Sequence, residues 1–509
     1  TDRAAFLEAK IELNLVNDQT SGDTIHYKDF VGVGYEIPTG SIFTTDQEFL
    51  FGSDDLDQLM GGSKDDHLYG GDGDDVLTGL GGDDYLQGDA GFDTYVYRTG
   101  DGFDKVLDSD GQGRIVVDGV TLAGGAQYGD RRVHRDDNGH LYVDVGLGLV
   151  VDGNLLVQGY RDSDLNVSLS STPVANPVST LTLQGDLAAI DDDPNTTGVQ
   201  AQTDSLGNVI VDPNRPEPGR ADLLNGSGGA DSIEGRADSD ILNGKAGNDR
   251  LYADTPISAA DAIALGNDQP GSGFKGDWLA GGSGDDTLVG SAGNDVLSGG
   301  GGQDLLIGGA GDDDILGDRD WVATSFDWTV TDLAGGFRFY SPTDEFPSID
   351  AADVIYAGEG NDHASGGGGN DVLFGEGGAD QLTGGPGNDI LLGGPGIDLL
   401  LGGADDDLLI GGAGADTVEG GAGKDIYIFN RGDGGDTLID SNADHNSLRF
   451  GAGISSSDIT LRLGSLLLDL GSGDAMHIQN FNQHDVFNSS SIDRFEFEDG
   501  TVLTTTELL

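Results

Sequence analysis

The chain has 509 residues, 91 of them acidic against 24 basic for a formal net charge of -67, with 89 glycines and no cysteine. A polyanion of this kind repels nucleic acid, and repels itself unless cations are bound; the lack of cysteine excludes disulfides, thiolate metal sites and thiol catalysis. No run of about 18 apolar residues occurs, so no membrane-spanning helix is expected.

The chain opens with Thr1-Asp2-Arg3, without Met or a signal-peptide pattern, which reads as a fragment or a processed form. Residues 1–50 are expected to form an N-terminal helix and capping segment. Ala4, Leu7, Ile11 and Leu15 recur at near-helical spacing, predicting a short amphipathic helix over Arg3 to Val16 with Asp2 as its cap. Residues 51–108 hold a first repeat block, in which Asp57, Asp66, Asp75, Asp84 and Asp93 recur every nine residues. Lys64 replaces a turn glycine there, so that turn is expected to be distorted. Residues 109–170 alternate apolar and polar side chains between glycines (GRIVVDG, HLYVDVG, LLVQGY), as in a small antiparallel β cap.

Residues 171–219 are rich in Pro and Asp and read as a linker. A second block spans 220–317, with Asp222, Asp231, Asp240 and Asp249, an excursion over 253–276, then Asp277, Asp286, Asp295, Asp304 and Asp313. Residues 318–347 alternate like a hairpin about Ala334-Gly335-Gly336. The three tryptophans, Trp278, Trp321 and Trp328, lie in or beside these excursions and are expected to pack them onto the repeats. The third block, 348–440, is the most regular. From Ser348 to Ile428, nine units keep one register: Asp353, Asp362, Asp371, Asp380, Asp389, Asp398, Asp407, Asp416 and Asp425 hold the sixth place, and the eighth is apolar. Residues 441–509 form a second β-rich cap. The ends of the first and third blocks, TYVYRTGDGFDKVLDSDG and DIYIFNRGDGGDTLIDSN, reveal an internal duplication.

In each unit the Gly-rich half is a tight turn, because glycine reaches φ > 0 at little steric cost, and the x-apolar-x half is a three-residue strand with one inward side chain. Two units then make one coil of 18 residues. Aspartates 18 apart stack on the same edge at about the strand spacing of 4.8 Å, where carboxylates repel unless a cation lies between them. Hard oxygen ligands in a flexible cage suit Ca²⁺ better than Mg²⁺ or Zn²⁺. The fold class predicted is all-β: parallel β-roll (right-handed β-helix) solenoid blocks with small antiparallel β caps and a short N-terminal helix. The 23 sixth-place aspartates are the candidate metal ligands. Nearest-neighbour coil logic gives roughly 15 Ca²⁺ ions.

The motif Gly-Gly-x-Gly-x-Asp-x-apolar-x, as in GGPGNDILL and GGAGKDIYI, resembles the repeat-in-toxin (RTX), or haemolysin-type, calcium-binding nonapeptide. The resemblance implies secretion through a type I channel, C-terminus first, with folding on external calcium. The final FEFEDGTVLTTTELL resembles the export end of such proteins, and DRAAFLEAKIELNL with IHYKDF resembles the segment after a lipase-like domain in some of them. No Gly-x-Ser-x-Gly or His-Glu-x-x-His motif occurs and the eight histidines are scattered, so no active site is expected within the chain. The expected function is a calcium-binding, secreted module that supports an upstream domain. The alternative is a structural extracellular protein, in a fibre, surface layer, biofilm matrix or adhesin, that assembles with itself when calcium is present.

Overall fold

The computed structural model describes residues 26–29, 48–173, 181–184, 223–236, 239–266, 275–323, 328–332, 338–341, 343–346, 350–440, 446–462, 466–479, 491–497 and 501–508. These are mostly β, in a β-solenoid of about 17 turns. The chain divides into two compact units, residues 1–127 with 131–174, and residues 128–130 with 175–509.

The nine-residue period folds as the spacing dictates. In the second unit, successive strands such as Val354–Gly360, Val372–Gly378, Ile390–Gly396 and Leu408–Gly414 pair in parallel with an 18-residue shift. The intervening strands His363–Ser365, Gln381–Pro386, Leu399–Ala404 and Thr417–Ala422 do the same in the facing sheet. Each sheet has 13 strands. The eighth-place side chains point between them: Leu373, Leu382, Leu391, Leu400, Leu409, Val418 and Tyr427 fall in one buried cluster. Each such residue contributes about 1.5–3 kcal/mol of apolar burial. That term holds the two sheets together.

The predicted second and third blocks stack as one solenoid. Leu305–Ala310 pairs directly with Val354–Gly360, and Asp314–Leu316 with His363–Ser365, so the stack continues across the second excursion without a break. Likewise Ile241–Ala246 pairs with Lys275–Ser283 across the first excursion. Parallel pairing needs only that a strand return in register; the length of the loop between is thermodynamically cheap. The hairpin of the second excursion is present, Thr329–Asp332 pairing antiparallel with Arg338–Ser341. Trp278 is fully buried, meets Trp328 edge-on at 5.3 Å and donates its Nε1–H to the Trp321 carbonyl at 2.8 Å, which fixes the excursion to the sheet's outer face.

The first unit repeats the plan on a smaller scale. Gln58–Met60, Val76–Thr78, Asp93–Tyr97 and Gly113–Val117 run parallel in one sheet, and Glu48–Phe51, His67–Asp72, Tyr85–Ala90 and Asp104–Leu107 in the other. The latter sheet continues into an antiparallel meander, Val133–Arg135 through Leu155–Gln158, joined to the solenoid through Asp104–Leu107. In the second unit Asp474–Ile478, Leu466–Gly471 and Thr460–Arg462 extend one sheet in the same way. These meanders cover what would otherwise be open strand edges.

The expected N-terminal helix lies outside the described residues. The helix the structure does show is Ala259–Gly266, inside the first excursion, with one helical turn at Thr505–Leu508. His67 and His363, in the seventh places of their units, are half-buried; the His67 ring stacks on Phe49 at 4.6 Å.

The turns explain the glycines. At Gly387 φ is 127° and a Cβ would collide with the Gly369 carbonyl of the coil before, so the coils approach too closely for any side chain. Gly387→Ala is expected to destabilise the folded, calcium-loaded chain by more than about 1 kcal/mol, read as a lowered denaturation midpoint in urea.

Candidate calcium site

The described sixth-place aspartates stand where a turn gives way to a strand, so the solenoid arrays the carboxylates along its two edges. The array is bonded. Asp353 donates its backbone N–H to Asp371 Oδ1 at 2.8 Å, Asp371 to Asp389 at 2.8 Å and Asp389 to Asp407 at 2.9 Å. On the facing edge Asp362, Asp380, Asp398 and Asp416 are linked likewise, each bond 2.9 Å long. The ladders cross both excursions: Asp240 bonds to Asp277 and Asp249 to Asp286, while Asp304 bonds to Asp353 and Asp313 to Asp362. In the first unit Asp57, Asp75 and Asp93 form one ladder, and Asp66 and Asp84 the other.

Of the 23 predicted ligands, Asp222 lies outside the described residues; the other 22 stand in these two-edge arrays. Two further aspartates belong to them. Asp84 donates to Asp104 Oδ1 and Asp416 to Asp436 Oδ1, both at 3.1 Å, across a 20-residue step. Nine-residue counting misses them. The signal was the duplicated ending, in which GDGFD and GDGGD place an aspartate two residues late.

In many of these carboxylates one oxygen is thus spoken for and the other is not. Oδ2 of Asp75, Asp84, Asp93, Asp249, Asp286, Asp313, Asp353, Asp371, Asp380, Asp389, Asp398, Asp407 and Asp416 is buried and meets no hydrogen-bond donor. A buried, ionised oxygen without a partner is costly. The carboxylates accordingly bind protons tightly: burial, then repulsion from Asp389, pushes Asp407 up to about 10, and burial lifts Asp380 to about 8 and Asp249 to about 7. Asp389 and Asp286 are raised as well, by burial first and then by Asp371 and Asp304 beside them.

The space around those oxygens fits a hard cation. A Cβ built on Gly375 would lie 2.7 Å from Asp380 Oδ2 and 2.5 Å from the Gly393 carbonyl oxygen; one on Gly393 would lie 2.6 Å from Asp398 Oδ2 and 2.5 Å from the Gly411 carbonyl. Carboxylate and main-chain oxygens of neighbouring coils therefore converge where the first-place glycine leaves room. Among the described residues no three acidic or histidine side chains meet at one point, so a cation there draws on main-chain carbonyls as well as carboxylates. An oxygen set of that kind suits Ca²⁺.

The family model of the RTX calcium-binding nonapeptide repeat matches residues 51–86, 60–95, 219–251, 273–306, 291–320, 350–382, 365–400, 392–427 and 401–438. The haemolysin-type calcium binding protein related domain matches residues 467–507, in the terminal β cap. No curated protein matches the chain. No helix among the described residues is long and apolar enough to cross a membrane. Repeat register, paired carboxylates and family model agree, and the chain is an RTX haemolysin-type calcium-binding repeat protein.

Proposed function

We propose that most of the sixth-place aspartates, with Asp104 and Asp436, hold Ca²⁺ along both edges of the solenoid and that this binding drives folding outside the cell. The observation that carries the proposal is the row of buried Oδ2 atoms with no hydrogen-bond donor, most of them beside a carbonyl of the next coil. A chain with 91 acidic residues has strong reason to stay expanded where calcium is scarce. At millimolar calcium, ions joining adjacent coils offset the repulsion and the coils close cooperatively. Because the ladders run through both excursions, one ion per shared step gives about 20 ions rather than roughly 15.

An expanded chain inside the cell is also what a type I channel exports, and the duplicated solenoid-and-cap plan suits a rigid support for an upstream domain. The experiment is sedimentation velocity of the chain in chelator and then in millimolar Ca²⁺ at equal ionic strength. A slow monomer becoming a fast monomer supports the reading. Large calcium-dependent assemblies would favour the structural, self-assembling alternative, and an unchanged coefficient would overturn calcium-coupled folding.

A further inference from the structure

The turns of the solenoid are of two kinds. In most, the residue after the first-place glycine is left-handed, even where it is not glycine: φ is 75° at Leu80, 81° at Lys245 and 67° at Glu376, as it is 125° at Gly385 and 104° at Gly394. In these five turns Oδ2 of the aspartate four residues on, Asp84, Asp249, Asp380, Asp389 or Asp398, is left open.

Ser53, Ser227 and Ser291 hold the same second place and stay out of the left-handed region. Each turns back onto its aspartate. Ser53 donates its N–H (2.6 Å) and its hydroxyl (2.8 Å) to Asp57 Oδ2. Ser227 does the same to Asp231 Oδ2 at 2.5 and 2.9 Å, and Ser291 to Asp295 Oδ2 at 2.6 and 3.1 Å. These three carboxylates are as buried as the rest, at 1%, 0% and 1% exposure, yet their Oδ2 atoms are satisfied by two donors each. Among the described residues Asp66 stands in one further turn of this kind, capped by the Gly62 N–H, and it is the turn in which Lys64 replaces the fourth-place glycine.

We infer that Ser53, Ser227 and Ser291 decide which turns take no ion: the serine supplies the donors that a cation would otherwise replace. The inference rests on the calcium reading above. The positions make physical sense. Asp57 and Asp231 open the ladders of the first and second units among the described residues, where an ion could be shared on one side only. A turn that closes without metal gives later coils a template to stack on, so the ladders that begin at Asp57 and Asp231 grow from a serine-capped start toward the C-terminal cap. Asp295 sits within the second unit, between the two excursions, and divides one edge into two runs.

The test is the position and number of ions in the full chain. In crystals grown with Ca²⁺, anomalous peaks are expected bonded to Oδ2 of Asp249, Asp286, Asp380 and Asp398 and absent from Oδ2 of Asp57, Asp231 and Asp295. A peak on Asp231 or Asp295 Oδ2 overturns the inference; no peak on either set means that the calcium reading itself fails. Ser291→Gly restores the Gly-Gly-x-Gly pattern to its turn, and native mass spectrometry should count one more bound Ca²⁺ than in the parent chain. An unchanged count overturns the role of the serine while leaving the calcium reading intact.

Discussion

Asp389→Ala is expected to raise the calcium concentration at half-folding roughly tenfold, whereas Asp285→Ala leaves it nearly unchanged. Asp389 is 1% exposed, accepts the Asp371 N–H on Oδ1 and turns Oδ2 toward the Gly402 carbonyl. Truncation strips the Asp371 N–H of its acceptor, at about 1–3 kcal/mol for a buried group, and removes a carboxylate shared with the coils on both sides. A tenfold shift corresponds to about 1.4 kcal/mol, at the low end of that range. Asp285 stands one place earlier in its unit, half-buried, and accepts the Gln303 N–H at 3.1 Å on the rim of the turn. Far-UV circular dichroism in calcium buffers gives both midpoints. Equal shifts for the two variants would count against the assigned register.

The contrast between neighbouring acids shows why so much of this site could be read from sequence. A strict nine-residue recurrence of Asp with an apolar residue two places on has one economical solution, a coil of two strands and two turns, and that solution places Asp371, Asp389 and Asp407 in one column. The register needs no tertiary information, because every contact that sets it is to the next identical coil. Where the period breaks, sequence reasoning weakens. Asp104 and Asp436 come after a 20-residue step, which local counting does not anticipate but stacking accommodates. The continuity of the ladder from Asp304 to Asp353 spans 49 residues, and nothing in the hairpin between them announces that the strands on either side will pair. The serine-capped turns were hidden for another reason. Ser291 and Gly300 occupy the same place in the repeat, and only the backbone angle, with the N–H direction it sets, separates a capped carboxylate from an open one.

The same open carboxylates make acid a substitute for calcium. In the unfolded chain an aspartate titrates near its ordinary value of 3.8; in the folded chain without metal, burial and repulsion lift Asp407 to about 10, Asp380 to about 8, Asp249 to about 7 and Asp398 to about 6. A carboxylate whose folded value is raised binds its proton more tightly in the folded state. Its contribution to stability is therefore complete below about pH 4 and is lost as pH rises through the folded value. In chelator, the chain is expected to be expanded at pH 8 and to compact as pH falls toward 5, still above its isoelectric point of about 4.1. With calcium present, protons and Ca²⁺ compete for the same oxygens, so the calcium affinity of the folded solenoid must fall on acidification. The two effects together narrow the gap between chelated and calcium-loaded chain at low pH and widen it at neutral pH. Near-ultraviolet circular dichroism of the Trp278–Trp328 pair, recorded beside the sedimentation coefficient, separates true packing from loose collapse. A chelated chain that expands further between pH 8 and pH 5 would show that the ladder carboxylates are not buried as the solenoid requires.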